Sequence, residues 1–345
     1  MPHFATRTVV AITDERRGLQ RVALDDGNRA FVLTQLIGRV EAGNEVVVNT
    51  TAVDLDLGTG GWHVVHWNLA RREWGTAGPR HIMKVRYTSV QVDTGAVEED
   101  HAEAMASFHD LGRRVVVACG LHSQLAPVVL AVRRARPEAR IAYVMTDGAA
   151  LPLALSDTVH HLSTDGHLDL TITAGHAFGG DFEAVGVPSA LAAAVVVGGA
   201  DVIIAGSGPG VVGTGTRLGT SALEVAHIVD TCSALGGRPV VCARYSEADS
   251  RPRHAALSQQ TSVALELARS VAEIPVPAGP VAADVRRALL GHPHRVVEVT
   301  IPDPASVLAP MAGRLETMGR SPLDDPVFFA VAVAAGTFAA VSAGG

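Results

Sequence analysis

Asp201-Val202-Ile203-Ile204-Ala205 runs directly into Gly206-Ser207-Gly208-Pro209-Gly210-Val211-Val212-Gly213-Thr214-Gly215-Thr216-Arg217-Leu218-Gly219, and the stretch 220–235 then carries helical patterning. A short unbroken apolar run bounded by turn residues reads as a strand buried on both faces. Strand, glycine-rich loop and helix in that order form the opening half of a βαβ crossover. The same texture recurs on either side. Strands are expected at 114–119, 141–145, 168–173, 239–243 and 295–299, and helices at 122–135, 183–197 and 255–272, with two more helices near the end. This alternation predicts an α/β fold, a mostly parallel Rossmann-like sheet flanked by helices.

The first part of the chain reads differently. Thr8–Ile12, Gln20–Leu24, Arg29–Leu33, Glu45–Asn49 and His63–Trp67 are short and β-rich, and Asp25-Asp26-Gly27-Asn28 is a hairpin turn signal. Strands without helices predict a small β-barrel-like domain over residues 1–78, ahead of an α/β domain over 79–345. Leu57-Gly58-Thr59-Gly60-Gly61 reads as a loop, and 71–79 as a linker. His81-Ile82-Met83-Lys84-Val85-Arg86-Tyr87 reads as the entering strand, with Lys84 and Arg86 on one face.

Composition narrows the function classes. The chain has 345 residues, of which 48% are hydrophobic and 18% charged, so it can bury a large core. Net charge is −7 and no basic run appears, which argues against nucleic acid as a partner. The most apolar stretch, Val327–Val341, is shorter than the roughly 20 residues a spanning helix needs. It predicts a buried terminal helix, a candidate contact between copies in a homo-oligomer, and no membrane partner. Cys119, Cys232 and Cys242 form no CxxC pair and read as buried thiols in a reducing, cytoplasmic setting. No signal peptide opens the chain. Lys84 is the only lysine beside 27 arginines, which makes its retention a mild signal for a catalytic role.

In open α/β sheets, ligands bind outside the carboxyl ends of the strands, and that rule selects the candidate residues. The first set is the glycine-rich loop. Gly208, Gly210, Gly213, Thr214 and Gly215 let backbone N–H groups approach an anion. The spacing of Gly208, Gly210 and Gly213 satisfies GxGxxG, but an acidic ribose partner is missing after the next strand. Thr214 stands where a phosphate-binding lysine would be needed for an ordinary nucleotide triphosphatase. His122 and Ser123 follow the 114–119 strand; His122 is a candidate catalytic residue at the sheet's rim, and Ser123 reads as a helix cap or anion ligand. Asp147 ends another strand. His176 and Asp181 share one loop with Glu183, where His176 or Asp147 would move protons and Asp181 would bind ligand or cap a helix. No metal motif matches, so no metal ligand is assigned. Arg244, Arg251 and Arg253 would clamp a carboxylate or phosphate.

HIMKVRYTSVQ, GHAFGGDFEAV, ADVIIAGSGPGVVGTGTRLGTSALE and ARYSEADSRPRH together resemble a bacterial family catalogued as domain of unknown function 3866. The resemblance spans nearly the whole chain, and the glycine-rich segment is its most specific part. It implies no activity, so it transfers no catalytic residue and no cofactor. Where the family pattern holds histidines, this chain has Gln259-Gln260, which places a metal role for that stretch in doubt.

The residues therefore predict an enzyme acting on a phosphorylated or otherwise anionic small molecule, its cofactor unknown. The alternatives are a non-catalytic metabolite sensor or adaptor and, more weakly, a dinucleotide-dependent oxidoreductase.

Overall fold

The computed structural model describes residues 1–57, 60–75 and 80–343. Gly58 and Thr59 of the early glycine-rich loop, and residues 76–79 of the linker, lie outside them. Packing divides the chain into two units, Met1–Gly95 and Ala96–Gly345.

In the first unit, strands β1 (Phe4–Arg16), β2 (Leu19–Leu24), β3 (Arg29–Leu33), β4 (Glu45–Asn49) and β5 (Trp62–Asn68) close into a barrel of order β1-β2-β3-β5-β4. Alternation sets its inside. Val22, Ala30, Val32, Val46 and Val48 are fully buried, while Arg29 and Phe31 point outward between them. The predicted turn joins β2 to β3, with Gly27 at φ +81° and Asp26 Oδ1 accepting from the Asn28 amide at 3.0 Å. Outside the barrel, Phe31 stacks on Trp62 (4.8 Å) and the Arg29 guanidinium lies over the same indole (4.5 Å).

The expected strand over 81–87 is corrected. Only β6 (Met83–Lys84) forms, paired with β7 (Val92–Asp93). Val85 (φ 52°) and Tyr87 (φ 62°) are left-handed, so the pleat that would align Lys84 with Arg86 does not exist.

The second unit holds one eight-stranded parallel sheet. Its strands are β8 (Val115–Cys119), β9 (Ile141–Thr146), β10 (Leu170–Ala174), β11 (Phe182–Ala184), β12 (Val202–Ser207), β13 (Arg238–Cys242), β16 (Glu273–Pro277) and β17 (Arg295–Val299). A short hairpin, β14 (Tyr245–Ser246) with β15 (Ala256–Leu257), lies between β13 and β16 in sequence. The spatial order is β11-β10-β9-β12-β8-β13-β16-β17. Val202–Gly206 pairs in register with Val115–Cys119 on one side and Ile141–Met145 on the other, so β12 is flanked throughout. This explains its unbroken apolar run.

The two faces of the sheet bury different helices. Val116, Ala118, Ile203 and Ala205 face the helices Val187–Val196, Glu224–Ala234, Gln259–Leu267 and Pro280–Ala288. Val115, Val117, Val202 and Ile204 face Leu125–Ala135, Asp157–Thr164 and Pro326–Ser342. The apolar C-terminal stretch is thus a core helix of its own chain, packed on Leu125–Ala135. At that crossing an added Cβ on Gly336 would stand 2.3 Å from the Val128 carbonyl oxygen. Among the described residues no helix is long and apolar enough to cross a membrane.

Two expected helices are shorter than predicted. Over 183–197, the first residues belong to β11 and the helix starts at Val187; over 255–272, β15 precedes a helix confined to Gln259–Leu267. Strand β16 and the helix Pro280–Ala288 were not anticipated.

Candidate anion-binding site

The connection after β8 leads towards β9, and the connection after β13 leads towards β16, on opposite sides of this adjacent pair. That divergence opens a crevice at the carboxyl ends of β8 and β13. Gln124 bridges its floor: its Oε1 accepts from the Leu121 amide (3.0 Å) and its Nε2 donates to the Cys242 carbonyl (2.9 Å).

Three chain segments converge over the crevice. The glycine-rich loop after β12 is not a tight strand-to-helix turn. It leaves and returns as a small flap, closed by Thr214 N to Gly219 O (2.8 Å) and Ser221 N to Val212 O (3.1 Å). Gly219 allows the flap to narrow, because a Cβ there would meet Thr214 Oγ1 at 2.1 Å. Gly215 turns the tip at φ +83°. Thr220 lies at the flap's base, where its Oγ1 accepts from the Ala222 amide (3.3 Å) and caps the helical turn that follows.

The second segment follows β13 and carries the arginines. The third is the turn around Met318, held by reciprocal backbone bonds between Thr317 and Arg320 (2.8 and 2.9 Å). Together they enclose a cleft of about 140 Å³. Gly213, Gly215, Arg217, Arg244, Arg251 and Arg253 contribute to its wall, as do His254, Gln260 and Met318. Among the described residues, four arginines and no carboxylate line it. The amides of Gly213 and Gly215 hydrogen-bond to no described residue.

Behind this wall stands a buried ion network. Asp249 Oδ2 accepts from Arg251 (2.7 Å), Arg244 (3.0 Å) and Arg320 (3.3 Å). Arg251, bonded to both oxygens, holds the Asp249 carboxyl far below the ordinary carboxylate range despite its burial. Burial, reinforced by Arg251, pulls the Arg244 guanidinium down to about 10. Ser246 Oγ donates to Asp325 Oδ2 (2.6 Å), and Arg320 spans Asp249 and Asp325. Arg217 pairs with Glu266, which docks the flap on the helix Gln259–Leu267.

The structure gathers Gly213, Gly215, Arg244, Arg251 and Arg253 in one cleft and places the other candidates elsewhere. Gly208 packs under the Ala150 carbonyl and the Met145 sulfur, where a Cβ would meet the oxygen at 2.8 Å, and Gly210 and Thr214 are outside the lining. Thr214 Oγ1 bonds Thr216 Oγ1 (2.9 Å). Ser123 Oγ meets Thr317 Oγ1 (3.0 Å) and caps nothing; Gln124 caps its turn instead. His122 is a rivet, with Nε2 2.7 Å from Ser156 Oγ and Nδ1 3.3 Å from the Ser207 carbonyl. Burial pushes its imidazole down to about 4, so it is neutral at pH 7.

Asp147 accepts from the His176 amide (3.0 Å), its carboxylate lying where a Gly175 Cβ would be. Asp181 precedes a strand rather than a helix, and its Oδ2 fastens Thr171 through N (3.0 Å) and Oγ1 (2.8 Å). Glu183 likewise accepts from Thr173 Oγ1 (2.6 Å) and the Gly179 amide (2.7 Å). Lys84 belongs to the first unit, where it is buried. Among the described residues no three His, Cys, Asp or Glu side chains gather to hold a metal.

The family described as protein of unknown function (DUF3866) matches the chain over residues 29–336. The chain belongs to this family. No curated protein matches it. The DUF3866 match covers every wall of the cleft, from Leu121 to Met318.

Sequence reasoning missed His254 and Gln260 in the cleft and, outside its lining, the buried Glu224. His254 stands in the arginine loop and is buried at 2% exposure. Glu224 receives Thr146 Oγ1 (2.6 Å), and burial raises its carboxyl, aided by neighbouring Asp147. Gln260 links Arg244 (2.8 Å) to Thr220 (2.8 Å). The His was visible in sequence beside two arginines, but its partner Ser258 becomes its neighbour only once the loop folds.

Proposed function

We propose that this DUF3866 protein binds a phosphorylated or similarly anionic small molecule in the cleft at the β8/β13 crevice and acts on it there. One observation carries the reading: four arginines, and two glycines whose amides hydrogen-bond to no described residue, line one small cleft to which no carboxylate among the described residues contributes. Guanidinium forks and outward N–H groups are the usual protein partners of phosphate and carboxylate oxygens. The flap supplies amides, Arg251 and Arg253 supply charge, and Asp249 holds the arginines in place from behind.

A thermal-shift series tests this at constant ionic strength, with phosphate, sulfate, sugar phosphates, nucleotides and small carboxylates. Stabilisation that saturates with at least one anion, and that disappears in Arg253→Gln, supports the reading. A melting temperature unmoved by every anion refutes it.

A further inference from the structure

The charge of the cleft, counted from its own ion pairs, defines the ligand more narrowly; this inference rests on the anion-site reading. Four arginines line the wall, Arg217, Arg244, Arg251 and Arg253. Two carboxylates answer them directly, Glu266 on Arg217 and Asp249 shared between Arg244 and Arg251. Arg320 and Asp325 stand behind as a pair and leave the difference unchanged. Arg253 meets no carboxylate among the described residues. Its Nε donates instead to His254 Nε2 (3.2 Å). The excess is therefore two positive charges.

The same contact fixes the state of His254. An arginine N–H can only donate, so Nε2 must present its lone pair. A neutral ring then carries its proton on Nδ1, which lies 2.7 Å from Ser258 Oγ. Ser258 is itself held as the cap of Gln259–Leu267, accepting from the Gln260 amide (3.3 Å). His254 is thus a neutral base, oriented by one neighbour and turned towards a cationic wall. The groups that act on it are Arg244, Arg251, Arg253 and Asp249 from its own loop, and Ser258 from the adjoining helix. Burial first and then the arginines hold its pKa down at about 4.

We propose that the cleft takes a dianion of the phosphomonoester type, and that its binding is coupled to proton uptake by His254. A dianion cancels the two excess charges. The repulsion that keeps the imidazole neutral then falls, Arg253 turns to the ligand, and Nε2 accepts a proton. No bond to the ligand is made or broken; one proton moves from solvent to Nε2. Linkage makes the effect reciprocal: protonated His254 tightens dianion binding.

Sulfate is the probe, because it remains a dianion throughout the working range and adds no protons of its own. Calorimetric titration at pH 5 is run in buffers of differing ionisation enthalpy, at fixed ionic strength. The expected result is net proton uptake on sulfate binding, about two-fold or greater tightening at pH 5 relative to pH 7.5 for a one-unit rise in the His254 pKa, and loss of the uptake in His254→Gln. Phenyl phosphate should displace sulfate at pH 7.5, whereas nitrate should not. The Cε1–H resonance of His254, titrated with and without sulfate in the wild-type protein, gives the same answer if the variant is unstable. Sulfate binding with no proton uptake, or with equal uptake in His254→Gln, overturns this inference and leaves the anion site standing. Equal binding of nitrate and sulfate overturns the dianion assignment. Absence of binding by sulfate and by phenyl phosphate alike overturns the dianion assignment, and the anion-site reading falls with it when the thermal-shift series is also silent.

Discussion

Arg244 and Asp249 form an ion pair with both side chains withdrawn from water, Nη2 to Oδ2 at 3.0 Å and side-chain exposures of 5% and 1%. Two further arginines share the same carboxylate. Removing the anion leaves three guanidinium groups against each other. Asp249→Asn should therefore destabilise the protein by about 3–5 kcal/mol, the usual cost of breaking a buried pair from one side. Urea unfolding measures it. A loss under 1 kcal/mol would show that water, not Asp249, screens the arginines.

Arg253 stands on the exposed side of the same cluster. Arg253→Gln should fold with little change in melting temperature, since exposed charges contribute little. It should nonetheless lose anion-dependent stabilisation. Thermal shift with and without sulfate separates the two effects.

His122 and His254 are both held at about 4, mainly by burial. An unfolded histidine titrates near 6.5. Between those values the unfolded chain binds more protons than the folded one, so stability falls as pH drops from about 6.5 to 4. Below that range Asp249 adds a further loss, because its lowered carboxyl must be protonated. Denaturation midpoints between pH 7.5 and 4 should decline, most steeply below 6.5. A flat profile there would contradict the neutral, buried state of both rings.

Gly336 sits where two core helices touch, with the Val128 oxygen and Ala131 Cβ at 2.3 and 2.7 Å from any added Cβ. Backbone cannot yield as a side-chain tip can. Gly336→Ala should cost about 1–3 kcal/mol through overpacking, despite its better helix propensity. The exposed control Val341→Ala should change stability little. Chemical denaturation of both reads the difference.

All three cysteines are buried; burial raises the Cys232 thiol to about 12, and contact with Cys119 together with burial raises the Cys242 thiol well above its ordinary value. A thiol needs its thiolate to react. The folded protein at pH 8 should release almost no chromophore from a disulfide reagent until denaturant is added. Prompt reaction of Cys119 or Cys242 would show that its strand end opens, and of Cys232 that its helix lifts from the sheet.

The parallel sheet was legible because β8, β9 and β12 are flanked on both sides and carry unbroken apolar runs. The barrel was legible from alternation and one good turn. Strand β16 was hidden by Pro275 and Pro277, which argue against a central strand. β13 touches β16 only at Val240 with Glu273, so on that side the missing proline amides have no ladder to break. The 81–87 stretch misled in the opposite sense: its alternation is real, but left-handed Val85 ends the pleat after two residues. In the site, the rule of strand carboxyl ends pointed to the edge where the arginine-lined cleft lies. It could not separate residues that face the cleft from those that fasten the edge together. Asp181 and His122 look alike from sequence and are spent on local hydrogen bonds. His254 needed Ser258 and Arg253 placed around it before its chemistry showed.

Asp325 is bonded to Ser246, and Arg320 reaches from it to Asp249. These two residues emerge from the ribosome long after the arginine loop they secure. A nascent chain therefore exposes its cationic loop before the clasp exists, and prematurely terminated products ending ahead of residue 320 lack it altogether. Whatever depends on those arginines being held in place must therefore wait until residues 320 and 325 have been added to the growing chain.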